Sequence, residues 1–156
     1  MTFDVDTMAY QGTDPVYTIA EEVFSAMIDG EPGHLRVWVG PEPSLDDVVH
    51  AWVDVRGPVQ GRVLLSTEEP TAQRIARALL MMEPEEPVGD ADLADALGEV
   101  ANVVGGNLKA LVTDPGALTL PEVSHDRPPT QPEDLVYELR LDWRGLPLVI
   151  TLWNLP

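Results

Sequence analysis

The alternation of apolar and polar positions divides the chain into helix-period and strand-period stretches separated by proline and glycine. From Asp14 the sequence DPVYTIAEEVFSAMIDG opens like a helix, with Asp14 as N-cap and Pro15 at the first helical position. Val16, Ile19, Ala20, Val23 and Met27 recur on one face, and Gly30 closes the pattern. His34 to Val39 (HLRVWV) has the residue types of a short strand in a Pro/Gly-rich region. Asp46 to Val55 alternates Val49, Ala51, Val53 and Val55 with His50, Trp52 and Asp54. It turns at Gly57-Pro58 and returns through Val59 to Ser66, which is a hairpin pattern. The Trp on the polar side implies that this face is covered as well. Thr67-Glu68-Glu69-Pro70 then predicts a capped second helix through Ile75, Ala76, Leu79, Leu80 and Met82, broken by the two prolines of Glu83 to Gly89.

The longest proline-free stretch of the second half, Asp90 to Val112, predicts a third helix with Leu93, Leu97, Val100, Val104, Leu108 and Leu111 on its buried side. After it come Leu118 to Val123 and a polar loop from Ser124 to Glu133. Two strong strands follow, Leu135 to Asp142 and Leu146 to Trp153, joined by a short turn at Arg144-Gly145. Hairpins with helices between them predict an α+β fold, a mostly antiparallel sheet with helices packed on one face. Residues 1–156 are expected to form a single domain, with 1–13 as a flexible N-terminal tail.

Composition changes this picture mainly by exclusion. The chain has 156 residues and is 44% hydrophobic, enough for one core without staples, and it contains no cysteine. Disulfide scaffolds, thiolate metal sites and cysteine nucleophiles are thereby excluded. Nine Lys plus Arg against 27 Asp plus Glu give a net charge of −18. Such a field repels nucleic acid and anionic membranes, so a protein partner is expected. The acidic start lacks a basic and apolar leader, and no run approaches the ~18 apolar residues of a membrane span; a cytoplasmic location is expected.

Most familiar chemistries find no support. His34, His50 and His125 lie in separate predicted elements with no second ligand at metal spacing, so no metal site is expected. The run Val104-Gly105-Gly106-Asn107 lies inside a helix and has neither nucleotide-loop form. Ser25, Ser44, Ser66 and Ser124 lack the nucleophile-elbow turn. The four tryptophans, three of them on predicted strands, suit the core and the sheet face.

What remains is the third helix. At about 100° per residue, Asp95, Glu99, Asn102 and Gly106 fall on one stripe opposite its apolar face. A carboxylate and a carboxamide three residues apart can reach the same object. A glutamate and an asparagine three apart are common by chance, and on these residues alone the stripe reads as the solvated face of an ordinary amphipathic helix.

The wider pattern is more specific. Asp95-x-x-x-Glu99-x-x-Asn102, followed by Gly105-Gly106-Asn107 and Pro121, resembles the signature of the CheC/CheX/FliY chemotaxis phosphatases. Gly57-x-x-x-Gly61-Arg62-Val63-Leu64-Leu65-Ser66 and the helix with Ala72, Ile75, Ala76 and Leu79 resemble that family's hairpin and following helix. The resemblance implies a phosphatase acting on the phosphoaspartate of a CheY-like response-regulator receiver. It implies that Glu99 pairs with the receiver's phosphate-site lysine and that Asn102 orients the attacking water. Asp95, Gly105, Gly106 and Asn107 would support the site. No cofactor of its own is expected, Mg being held by the receiver, and a homodimer is implied. In two-site members the first helix repeats the motif; here it reads Thr18-x-x-x-Glu22-x-x-Ser25, and Ser25 is too short to hold a water in the same place. One working site is therefore expected, as in the CheX branch. Pro121 follows Asn102 at a shorter spacing than the family pattern has. The alternative within the same fold is a module that binds a receiver or motor-switch component without hydrolysis.

Overall fold

The computed structural model describes residues 14–112, 114 and 116–156. The tail expected over 1–13 lies outside the described residues. Helix α1 (Pro15–Val23) begins as its sequence requires: the Asp14 carboxylate accepts from the backbone N–H of Val16 at 2.9 Å and of Tyr17 at 3.2 Å. Instead of ending, α1 widens into a π-helical turn, Phe24–Asp29, which Gly30 closes at φ 74°. The predicted helix through Met27 is thus present, with its last turn in the rarer geometry.

Seven strands follow the order β1-β6-β7-β3-β2-β4, with β5 also on β2, and every pairing is antiparallel. They are β1 (Leu35–Val37), β2 (Val48–Arg56), β3 (Gly61–Glu68), β4 (Ala117–Leu118), β5 (Glu122–Ser124), β6 (Leu135–Trp143) and β7 (Leu146–Asn154). Helices α2 (Glu69–Leu79) and α3 (Asp90–Lys109) complete the α+β domain.

Alternation explains which side is which. Val49, Ala51, Val53 and Val55 of β2, Val63 and Leu65 of β3, and Leu148, Ile150 and Leu152 of β7 join the apolar faces of all three helices in the main core. The opposite side carries a smaller cluster of Trp52, Leu64 and Trp153. That face is covered, as the buried-type Trp implied. The Arg62 guanidinium holds Asp54 at 2.8 and 3.0 Å across the β2–β3 register and donates to the Pro129 carbonyl, drawing the 124–131 loop over the sheet. Arg127 lies 5.4 Å from the Trp153 ring centre.

Several boundaries differ from the pattern reading, each for a local reason. β1 is shorter than His34 to Val39, because after Trp38 donates to the Arg140 carbonyl the chain turns through Gly40 at φ 110°. Thr67 does not cap α2: its hydroxyl donates to the Pro147 carbonyl inside the sheet, and Glu68 takes the cap position without a side-chain bond to the helix. α2 stops at Leu79 rather than Met82, with Met81 in the left-handed region at φ 57°. α3 ends at Lys109, so Leu111 falls in the following turn and is half exposed rather than core. Leu118 to Val123 is two short strands on β2 with Pro121 between them. The β6–β7 turn uses Arg144 and Gly145 at φ 54° and 86°, the paired positive values of a two-residue hairpin.

The histidines are tied locally. His34 meets Glu31 at 2.6 Å, His125 meets Glu69 at 2.9 Å, and buried His50 shares a 2.8 Å hydrogen bond with Ser66. Burial, then the neighbouring Arg127 and His125, hold the His50 pKa below its ordinary value. Its neutral form is therefore favoured by folding. That contribution is complete above the unfolded value of 6.5 and is lost as pH falls below it, because the unfolded chain takes the proton more readily. Urea midpoints of wild type and His50→Gln are expected to run parallel above pH 7 and to converge as pH falls below 6.5; a constant gap would contradict this.

Candidate functional site

α3 is seated by its glycines. At Gly105 a Cβ would stand 2.3 Å from Cγ2 of fully buried Val53, so the helix backbone lies directly on β2. At Gly98 a Cβ would reach Pro121 at 3.4 Å, and Leu118 is the nearest neighbour of Gly106 at 3.9 Å. The Leu118–Pro121 segment therefore runs antiparallel along one flank of α3, between Gly106 and Gly98. Its Thr119 is anchored to Asp54 by two hydrogen bonds of 2.8 and 2.9 Å. Pro121 packs against the helix one turn before Asn102, a placement that spacing in the sequence does not reveal.

This seating turns the polar stripe outward. Asp95 and Glu99 are exposed, while Asn102 and Gly106 are half-buried beside the flanking segment. Exposed Asn107 lies off the stripe, around the helix from Gly106. Among the described residues, the side chains of Asp95, Glu99, Asn102 and Asn107 form no hydrogen bond or ion pair. The stripe is thus composed of free polar groups on a rigid, well-packed helix. Asp95 and Glu99 are also like charges one turn apart, which costs roughly 0.2–0.5 kcal/mol rather than supporting the helix. Asp90 and Asp92 in the first turn and Lys109 in the last are placed to complement the helix dipole; Asp95 is too far along for that.

Of the six positions named for the site, Asn107 lies off the stripe and the other five separate into two groups. Asp95, Glu99, Asn102 and Gly106 share the outer face, whereas Gly105 belongs to the packing against β2. Leu120, 87% exposed between Leu118 and Pro121 on the flanking segment, is an apolar side chain that the sequence pattern did not single out. Its only signal was a lone Leu before Pro121.

The corresponding stripe of α1 is differently committed. Thr18 donates to the Asp14 carbonyl at 3.0 Å and Ser25 to the Glu22 carbonyl at 3.2 Å. Ser25 lies within the π turn, where the helical phase of the motif is lost. A carboxylate remains there at Glu22, but no carboxamide stands beside it. Elsewhere among the described residues, no group of three His, Asp or Glu side chains is arranged to hold a metal ion, and no helix is long and apolar enough to cross a membrane.

The antiparallel sheet with three helices on one face is a fold that solved proteins share. Residues 49–135 match the sequence profile of the family described as chemotaxis phosphatase CheX. This is more than half of the chain, which therefore belongs to the CheX family. No functionally curated protein matches the chain. Among solved structures, the fold is shared with the chemotaxis protein CheX of Desulfovibrio desulfuricans, at TM-score 0.66 and 19% identity over 90% of this chain and 97% of that one. It is shared with the CheX–CheY–BeF3–Mg complex from Borrelia burgdorferi, at TM-score 0.66 and 18% identity over 89% and 94%. It is shared too with FliY of Thermotoga maritima, at TM-score 0.62 and 18% identity over 95% and 88%.

The two adjacent glycines give opposite expectations. Gly105→Ala forces Val53 to move and is expected to destabilise the fold by about 1–3 kcal/mol through overpacking. Gly106→Ala meets no close atom and is expected to be neutral or to stabilise by up to ~1 kcal/mol through helix propensity. Urea unfolding of the two variants checks this; equal effects would contradict the assigned seating.

Proposed function

We propose that this protein accelerates hydrolysis of the phosphoaspartate on a CheY-like response-regulator receiver, within a cytoplasmic chemotaxis-type pathway. The observation that carries the reading is the free, outward pair Glu99 and Asn102 on α3 of a CheX-family chain. The solved Borrelia burgdorferi complex, in which a CheX of this fold is assembled with CheY, supports a receiver as the partner.

An acyl phosphate is already activated, so an accelerator needs chiefly to hold a water in line with the scissile phosphorus–oxygen bond. The Asn102 carboxamide can accept from and donate to that water without adding negative charge beside the phosphoryl group. Its half-buried base restricts it to few rotamers, which is the condition for positioning. As the water adds to phosphorus, the bond to the aspartate oxygen breaks and leaves a carboxylate, and the water's proton leaves to the phosphate. Nothing in the stripe has to act as a base. Glu99 would be repelled by a phosphoryl group if it approached alone, so its role is docking, with the receiver's lysine as counter-ion. Charge stabilisation at phosphorus is left to the receiver's own Mg ion. Gly106 leaves room for the partner's backbone on the same stripe, and Leu120 supplies apolar contact at its edge. Asp95 extends the acidic docking face. Homodimerisation, usual for the reading, is a further element of the proposal, checked by sedimentation.

The test is the decay of receiver phosphate with and without the protein. Wild type is expected to shorten the lifetime. Asn102→Ala should lose about 100-fold of the acceleration while retaining binding. Glu99→Lys should weaken binding about tenfold or more. Glu22→Lys and Ser25→Ala should leave both unchanged if α3 carries the one site. Receiver binding with an unchanged lifetime would establish the non-catalytic module instead; no binding at all would remove both readings.

A further inference from the structure

A cleft of about 260 Å³ lies away from the α3 stripe, between the π turn, α2 and the β6–β7 turn. Arg74, Arg77 and Arg144 line it, three of the nine Lys and Arg in a chain of net charge −18. The single carboxylate in its lining, Asp29, is engaged: it accepts from the Trp143 indole N–H at 3.1 Å and from Arg144 at 3.0 Å. Among the described residues, Arg74 and Arg77 have no ion pair. Arg74 lies 5.9 Å from the Trp143 ring centre, and Arg77 donates to neutral acceptors, the Glu86 carbonyl at 2.8 Å and the Gln73 side chain at 3.3 Å. Three guanidiniums against one carboxylate leave two positive charges facing the cleft.

Backbone geometry points to the same place from two directions. The π turn ends on Asp29, and the left-handed residue opening the hairpin is Arg144, at a position where Asn, Asp or Gly is preferred. The two elements are joined at the cleft by the Arg144–Asp29 ion pair at 3.0 Å. The remaining lining includes Ile28, Met82 and Pro84, an apolar wall beside the charges.

We infer that this cleft binds a phosphate monoester, with Arg74 and Arg77 on the phosphoryl oxygens and the organic group against Ile28, Met82 and Pro84. A monoester carries close to two negative charges at neutral pH, matching the two unpaired guanidiniums, and planar guanidinium groups suit phosphoryl oxygens. The apolar wall gives the ester an advantage over inorganic phosphate, and the charge gives it one over a carboxylate.

Calorimetric titration at fixed ionic strength tests this with phenyl phosphate, inorganic phosphate, benzoate and an N- and C-blocked phosphoserine. Phenyl phosphate is expected to saturate one site at least tenfold more tightly than inorganic phosphate or benzoate. Whether it or blocked phosphoserine binds better distinguishes a free metabolite from a phosphorylated protein segment, and either preference supports the site. The double substitution Arg74→Gln/Arg77→Gln should weaken binding at least tenfold in a protein whose circular dichroism and melting show that it is folded. Should that variant not fold, the Trp143 indole N–H resonance of wild type provides the second readout and should move with the same saturation. No saturable binding up to about 10 mM, equal affinity for benzoate, or a Trp143 signal that does not respond would overturn the inference.

Discussion

The close approach of α3 to β2 at Gly105 is the constraint on which the rest of the arrangement depends. A helix held off the sheet by ordinary side chains can rotate or slide by an ångström at modest cost. One whose backbone rests on a fully buried valine, in an interior packed at crystal-like density, has a single seat. That seat determines the rotation of α3 about its axis, and hence which side chains emerge on the far side. Leu93, Leu97, Val100, Val104 and Leu108 enter the core, and Asp95, Glu99 and Asn102 are left facing outward. Pro121, anchored through Thr119 to the same β2, steadies the helix from its flank. Precision at the stripe is therefore borrowed from packing at the opposite side of the helix.

The outer face of the sheet serves the same purpose indirectly. Asp54 and Arg62, each with only about a tenth of its side chain exposed, join β2 to β3, and Arg62 also draws the 124–131 loop over Trp52 and Trp153. Removing one partner of such a pair leaves a buried charge, so the tie costs far more to break than its net strength suggests. β2 is held in this way on the face that α3 does not touch.

Much of this was legible in the residues themselves. The α+β class followed from the periods, and the sites of all three helices and the two hairpins followed from caps and turns such as Asp14-Pro15 and Arg144-Gly145. The stripe was legible because a 3.6-residue repeat converts spacing into a face. What escaped was what only tertiary contact decides. Thr67 has the chemistry of a cap, but it lies within β3, where its hydroxyl donates to the Pro147 carbonyl, and Leu111 has helical phase but lies past the helix end. Gly105 and Gly106 are indistinguishable by type, and only the neighbourhood of Val53 separates the packing glycine from the open one. The arginine cleft was invisible because its three cations come from two distant parts of the chain.

The sheet order has a consequence for how the molecule is made. β7, the last strand in sequence, lies between β6 and β3, and β3 in turn carries β2 and the small strands beside α3. The β2–β3 hairpin and the helices emerge first during synthesis, but the inner edge of β3 has no partner until β7 has left the ribosome. Until then the apolar faces of Val63 and Leu65 lack half of their cover, and β3 offers open hydrogen-bonding groups to any extended chain nearby. Closure of the sheet waits on β7, so a nascent chain stalled before Leu146 would be a target for chaperones rather than a slower version of the folded domain.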